Sequence, residues 1–203
     1  FTVQGLIAMS ELVPVRTVAP TLTPISVSEC WQQCRVDTND EDEFISGLID
    51  AAVSHIEGPD GLGRALISQT WRQDFAEFDD CLRLPIGDLI AVTSVTYYDA
   101  DNAIQTLSTN VYAAFTDASG PFIELKTGQS WPTIYDRRDA VRVTWTAGYG
   151  TTAASVPASL RHALKMIVGH WFEHREETVI GATAVEVPMG VKRLLAPYRR
   201  QFC

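Results

Sequence analysis

Near the end of this 203-residue chain, His170-x-x-Glu173-His174 has the residue types and spacing for hydrolytic metal chemistry. On a helix the two histidines would stand one turn apart and could share a zinc ion. Glu173 would then serve as general base on the metal-bound water. Glu177, a further turn along, is an eligible third ligand. Peptidases with this pattern take that ligand from a distant helix, whereas 29 residues follow His174. Trp171 and Phe172 lie inside the motif and point to packing. A helix flank with partly exposed histidines explains the same letters, because short motifs arise often without function. A small zinc-dependent hydrolase is therefore the alternative reading, not the primary one.

Other reactive patterns are missing. There is no nucleophile elbow, no phosphate-binding glycine loop and no dinucleotide fingerprint. Gly58-Pro59-Asp60-Gly61-Leu62-Gly63 follows a helical pattern, so it reads as a turn, and Gly148-Tyr149-Gly150 closes a strand. The acids Asp37, Asp40, Glu41, Asp42 and Glu43 lack the sixth-position glycine and the in-register twelfth-position glutamate of a calcium loop. Four cysteines, Cys30, Cys34, Cys81 and Cys203, make neither a paired zinc motif nor a disulfide framework. Cys30 and Cys34 read as small core residues one helical turn apart, as suits a reducing cytosol. The expectation is no catalytic residue, no metal and no cofactor.

The elements around these residues follow from periodicity. Pro14, Pro20 and Pro24 punctuate an extended arm over residues 1–24, where Met9 is a candidate start and residues 1–8 would then be foreign to the natural chain. Ser26 with Glu29 forms a capping box, and Val27, Cys30, Trp31 and Cys34 recur at helical spacing. A second helix begins in the acidic run, where negative charge suits the macrodipole, and stops before Gly58. Strand patterns then take over: Ala65–Phe75, Val92–Tyr98, Ala103–Leu107, a hairpin of Val111–Thr116 with Phe122–Leu125, and Val141–Trp145. Pro157 suits a first helical turn, and Leu160, Leu164, Ile167, Val168 and Trp171 share one face. Residues 178–187 read as a mobile loop leading to a last short helix from Pro188 to Pro197.

The predicted fold class is α+β: a small helical domain with an inserted antiparallel β lobe and two C-terminal helices. Residues 25–203 form one domain, with helices over 26–57, the β lobe over 65–147 and the C-terminal helical region over 156–203.

A net charge of −9 is unevenly spread, at −8 over residues 1–60, −6 over 61–136 and +5 over 137–203. An acidic front with a basic tail argues against a general nucleic-acid binder and permits head-to-tail pairing of copies. The pairs Arg137-Arg138 and Arg199-Arg200 read as surface or subunit contacts. No apolar run reaches the length of a membrane span.

The order of several blocks resembles the head–tail connector (neck adaptor, head-completion) family of tailed phages and gene transfer agents. The blocks are Arg35-Val36-Asp37 with its acidic helix, Gly63-Arg64-Ala65-Leu66-Ile67-Ser68-Gln69-Thr70-Trp71, and Leu84-Pro85-Ile86 with Val92 to Asp99. Val141–Trp145 with Thr146-Ala147-Gly148-Tyr149-Gly150, Val156-Pro157 with the His170-Trp171-Phe172-Glu173 helix, and Pro188-Met189-Gly190-Val191 to Tyr198-Arg199-Arg200 complete the set. The resemblance covers about residues 25 to 200. It implies a structural role in the virion neck, with assembly in the bacterial host cytoplasm. The implied partners are a homo-oligomeric ring (a dodecamer), the portal above it and a stopper or tail protein below, with passing contact to translocating double-stranded DNA and no membrane. On that reading Pro188–Cys203 docks on the portal through Arg193, Tyr198, Arg199 and Arg200. Asp40, Glu41, Asp42 and Glu43 face the lumen, where acids keep phosphates from sticking. The family's usual helix lacks the second histidine of the zinc-like pattern.

Overall fold

A computed structural model of the chain describes residues 12–174 and 189–200. Among these described residues, four α-helices and eight strands alternate as strand, two helices, seven strands and two helices, which makes the fold α+β. The arm contributes β1 (Val15–Val18). Helix α1 (Val27–Cys34) starts at Ser26, whose hydroxyl accepts from the Glu29 main-chain N–H while the Glu29 carboxylate accepts from that of Ser26. Helix α2 (Asp42–Ile56) is bound to α1 by the Trp31 indole N–H, which donates to Asp42 Oδ1 at 2.8 Å.

The strands form two antiparallel sheets. The larger, in the order β1-β2-β8-β4-β5, joins β1 to β2 (Gln69–Phe75), β8 (Val141–Ala147), β4 (Leu89–Tyr98) and β5 (Ile104–Thr106). The smaller joins β3 (Cys81–Arg83), β7 (Gly120–Leu125) and β6 (Tyr112–Asp117). The strand expected from Ala65 begins only at Gln69, because Ala65–Ile67 form a buried link to the helices. Central β8 alternates as expected: Val141, Val143 and Trp145 are buried, and Arg142, Thr144 and Thr146 are half-buried.

Helix α3 (Ala158–Glu173) begins one residue later than expected, with Pro157 as its N-cap. Leu160, Leu164, Ile167 and Val168 are buried, and the helix packs against α1, α2 and α4 (Met189–Leu195). Gly169 lets α1 approach, since a Cβ there would stand 2.7 Å from Gln33 Cγ.

Two apolar cores result. One joins the four helices, with Cys30 and Cys34 inside it as expected, and the other fills the space between the sheets around Trp145. Burial pushes the Cys30 thiol up to about 12, so it stays protonated. The seam between the cores holds Glu57, whose Oε1 accepts from Leu66 N at 2.7 Å and Gln69 Nε2 at 3.0 Å. Its burial raises the carboxyl above the usual range.

Candidate functional site

Of the zinc-like triplet, the His170 and His174 rings stand 4.6 Å apart, but Glu173 does not join them as a third ligand. Helix α3 ends at Glu173, and His174 is its C-cap with φ −115° and ψ 64°. Its Nδ1 donates to the His170 carbonyl oxygen at 2.9 Å, which turns the ring back onto the helix end. Glu173 is exposed, and among the described residues no three His, Cys, Asp or Glu side chains cluster as metal ligands. Glu177 lies outside the described residues. The aromatic residues within the motif pack as anticipated: Trp171 meets His55 edge-on at 5.9 Å, and Phe172 meets Phe44 at 6.0 Å.

The acidic run is present as a surface with unequal members. Asp40 and Glu43 are exposed at the start of α2, while Glu41 and Asp42 are half-buried. Asp40 Oδ2 accepts from Thr38 Oγ1 at 3.0 Å, and Asp42 is engaged by Trp31, so the outward charge rests mainly on Asp40 and Glu43 with Asp37 before them. The basic end lies beside the segment that follows the other end of α2, where the Arg200 N–H donates to Leu62 O and Arg64 Nε to Tyr198 O. Helix α3 packs against both α2 and α4, and α4 with its 3-10 extension (Ala196–Tyr198) presents Lys192, Arg193 and Arg199 to solvent. The structure thus keeps the acidic and basic segments apart rather than joining them in one site.

Arg200 departs from its neighbours by turning inward. Its Nη1 donates to the carbonyl oxygens of Pro85 at 2.6 Å, Leu84 at 3.2 Å and Gly63 at 3.4 Å. Its Nε donates to Ser119 O at 3.1 Å, and Nη2 reaches the same oxygen. Burial in this cradle lowers the guanidinium pKa below its ordinary value. Beside it, Arg64 Nε donates to Tyr198 O at 2.7 Å while Nη1 meets Asp88 Oδ1 at 2.5 Å. Tyr198 itself is half-buried against the helical core. Arg64, Asp88, Gly87 and Gly120 are members of this seam that sequence reasoning did not single out. Main-chain acceptors carry no residue signature, and the available signals were Gly120 and Gly87, which leave room for the arginine.

A cleft of about 590 Å³ lies between the arm and α2, lined in part by Arg16, Leu22, Asp50, Glu57 and Trp71. Arg16 approaches Glu57 there at 3.8 Å, which ties the arm to the seam. No helix among the described residues is long and apolar enough to cross a membrane.

These surfaces can be set beside known proteins. A family model described as phage gp6-like head-tail connector protein matches residues 95–199, just over half of the chain. A chain from the virion of a native gene transfer agent particle is 26% identical, with 95% of this chain and 97% of that chain covered and a TM-score of 0.76. A chain from the neck of an empty gene transfer agent particle, computed with C6 symmetry, is 24% identical over the same shares with a TM-score of 0.77. A third, from the neck of a native particle computed with C12 symmetry, is 22% identical, again over 95% and 97%, with a TM-score of 0.73. At their identities the last two show likeness of fold. No curated protein matches the chain.

Proposed function

Because this chain belongs to the phage gp6-like head–tail connector family, we propose that it works as one of twelve copies in a ring below the portal. Its role is structural, as a joint between head and tail. The observation that carries the ring reading is the whole-chain likeness to chains of gene transfer agent particles, two of them solved as necks with sixfold or twelvefold symmetry. The particle is a tailed phage or a gene transfer agent, and the ring extends the DNA channel towards a stopper or tail protein. The virion neck is its location after assembly in the host cytoplasm.

Two surfaces support this reading. Exposed Arg193 and Arg199, with Tyr198 beside them, form a cationic C-terminal face for the portal. Acids at the start of α2 face the lumen, where they repel DNA phosphates and let the duplex slide. Asp40→Lys with Glu43→Lys should therefore slow DNA ejection, measured as release from purified particles, and leave folding intact because both side chains are exposed. Ejection and packaging at wild-type rates would refute the lumen assignment.

A further inference from the structure

We infer that Arg200 is a positioning residue that bolts the C-terminal cationic face across the seam of the two cores, not a contact with the portal. This inference rests on the docking role proposed for Arg193 and Arg199.

Its acceptors come from three separate loops: Gly63 after the α2 turn, Leu84 and Pro85 after β3, and Ser119 in the β6–β7 turn. The main-chain N–H of Arg200 also donates to Leu62 O at 3.4 Å. One planar fork thus holds loops from both cores, a geometry that a flexible ammonium cannot reproduce. The opening is shaped for it. A Cβ on Gly120, whose φ is +118°, would fall 1.5 Å from Arg200 Nη2, and one on Gly87 would fall 3.2 Å from Cδ. Two residues earlier, Arg64 holds the Tyr198 carbonyl, so the segment is fixed at two successive points. Between them Arg199 is left exposed. The bolt therefore sets where Arg193 and Arg199 stand relative to the β6–β7 turn, and it makes that turn part of the same rigid face.

The test uses the full chain as wild type, Arg200→Ala, Arg200→Lys and an Arg193→Glu/Arg199→Glu pair. Amide hydrogen exchange is read over residues 189–199 and at Ser119–Gly120, and binding is read on the particle's own portal ring. Both Arg200 variants should speed exchange at those two places about tenfold or more while α1, α3 and β8 keep wild-type protection. They should also weaken portal binding. The glutamate pair should weaken binding with exchange unchanged. Gly120→Ala, which displaces the guanidinium as well as straining the turn, should also speed exchange. Adding it to Arg200→Ala should speed exchange less than the two effects combined, since the Arg200 contacts are already lost in that background and only the turn's own strain is added.

Weakened binding with unchanged exchange would make Arg200 a direct portal contact and overturn the inference. Unchanged exchange and binding would overturn it as well. If the glutamate pair binds normally, the docking role is refuted, and exchange alone then decides whether Arg200 fixes the segment.

Discussion

Asp117 closes the β6–β7 turn by accepting from the main-chain N–H groups of Ser119 at 2.8 Å and Gly120 at 3.0 Å. Both of its oxygens also meet the Arg83 guanidinium at 2.7 Å. Those bonds, with the one from Arg83 first, hold its carboxyl at about 2 instead of the ordinary 3.8. A lowered folded value means the native chain releases this proton more readily than the unfolded chain. Its stabilisation is therefore full above the ordinary value and is lost as pH falls towards 2. Side-chain carboxyl titration by NMR should find this low value, and Arg83→Ala should move it up towards the ordinary range. A value unmoved by that substitution would show that the turn amides alone hold the charge. The turn was legible in Asp117-Ala118-Ser119-Gly120-Pro121, because Asp and Gly have local reasons to sit there. The partner Arg83 and the Arg200 cradle were not, because each depends on chain segments that meet only after folding. His170, Glu173 and His174 are the reverse case: their spacing suggests chemistry, while Trp171 and Phe172 between them signal the packing that the helix shows.

At the scale of elements, α3 is the hub of the helical layer, with α1, α2 and α4 all packed against it. Leu164 is fully buried among the helices, so Leu164→Ala removes apolar contacts and leaves a cavity, costing about 2–5 kcal/mol. Ser26→Ala removes one cap bond on an exposed turn and costs about 1 kcal/mol. Urea unfolding of the two variants should preserve that order; equal losses would show that α3 is not the hub. Both elements were readable in advance, since a capping box and an apolar stripe are local signals. So was β8, from its strict alternation. The division into two sheets was not. Strand β3 has three residues, too few for a period, and its pairing of Leu82 with Ile123 is a long-range fact. Strand β1 was likewise hidden: all four of its residues are exposed, so no buried face marks it, and its pairing with β2 spans the helices between them.

On the scale of the whole molecule, two cores share one seam, with Glu57 binding α2 to the Leu66–Gln69 link and Arg200 binding the C-terminal segment to the β-sheet loops. Such a body carries an acidic helix start and a basic C-terminal face in different places, an asymmetry that suits the place proposed for it between unlike neighbours. The class of fold and the structural role were legible from the order of the sequence blocks. The inward turn of Arg200 was not, because its main-chain acceptors at Pro85 and Ser119 meet it only after folding. The most direct test of the connector assignment is cryo-electron microscopy of particles carrying this chain, reconstructed at the neck. The expected density is a ring of twelve copies of this fold between the portal and the next tail component, with α4 towards the portal and the acidic start of α2 towards the channel. Finding the chain elsewhere in the particle, or a neck ring that this fold does not fit, would contradict it.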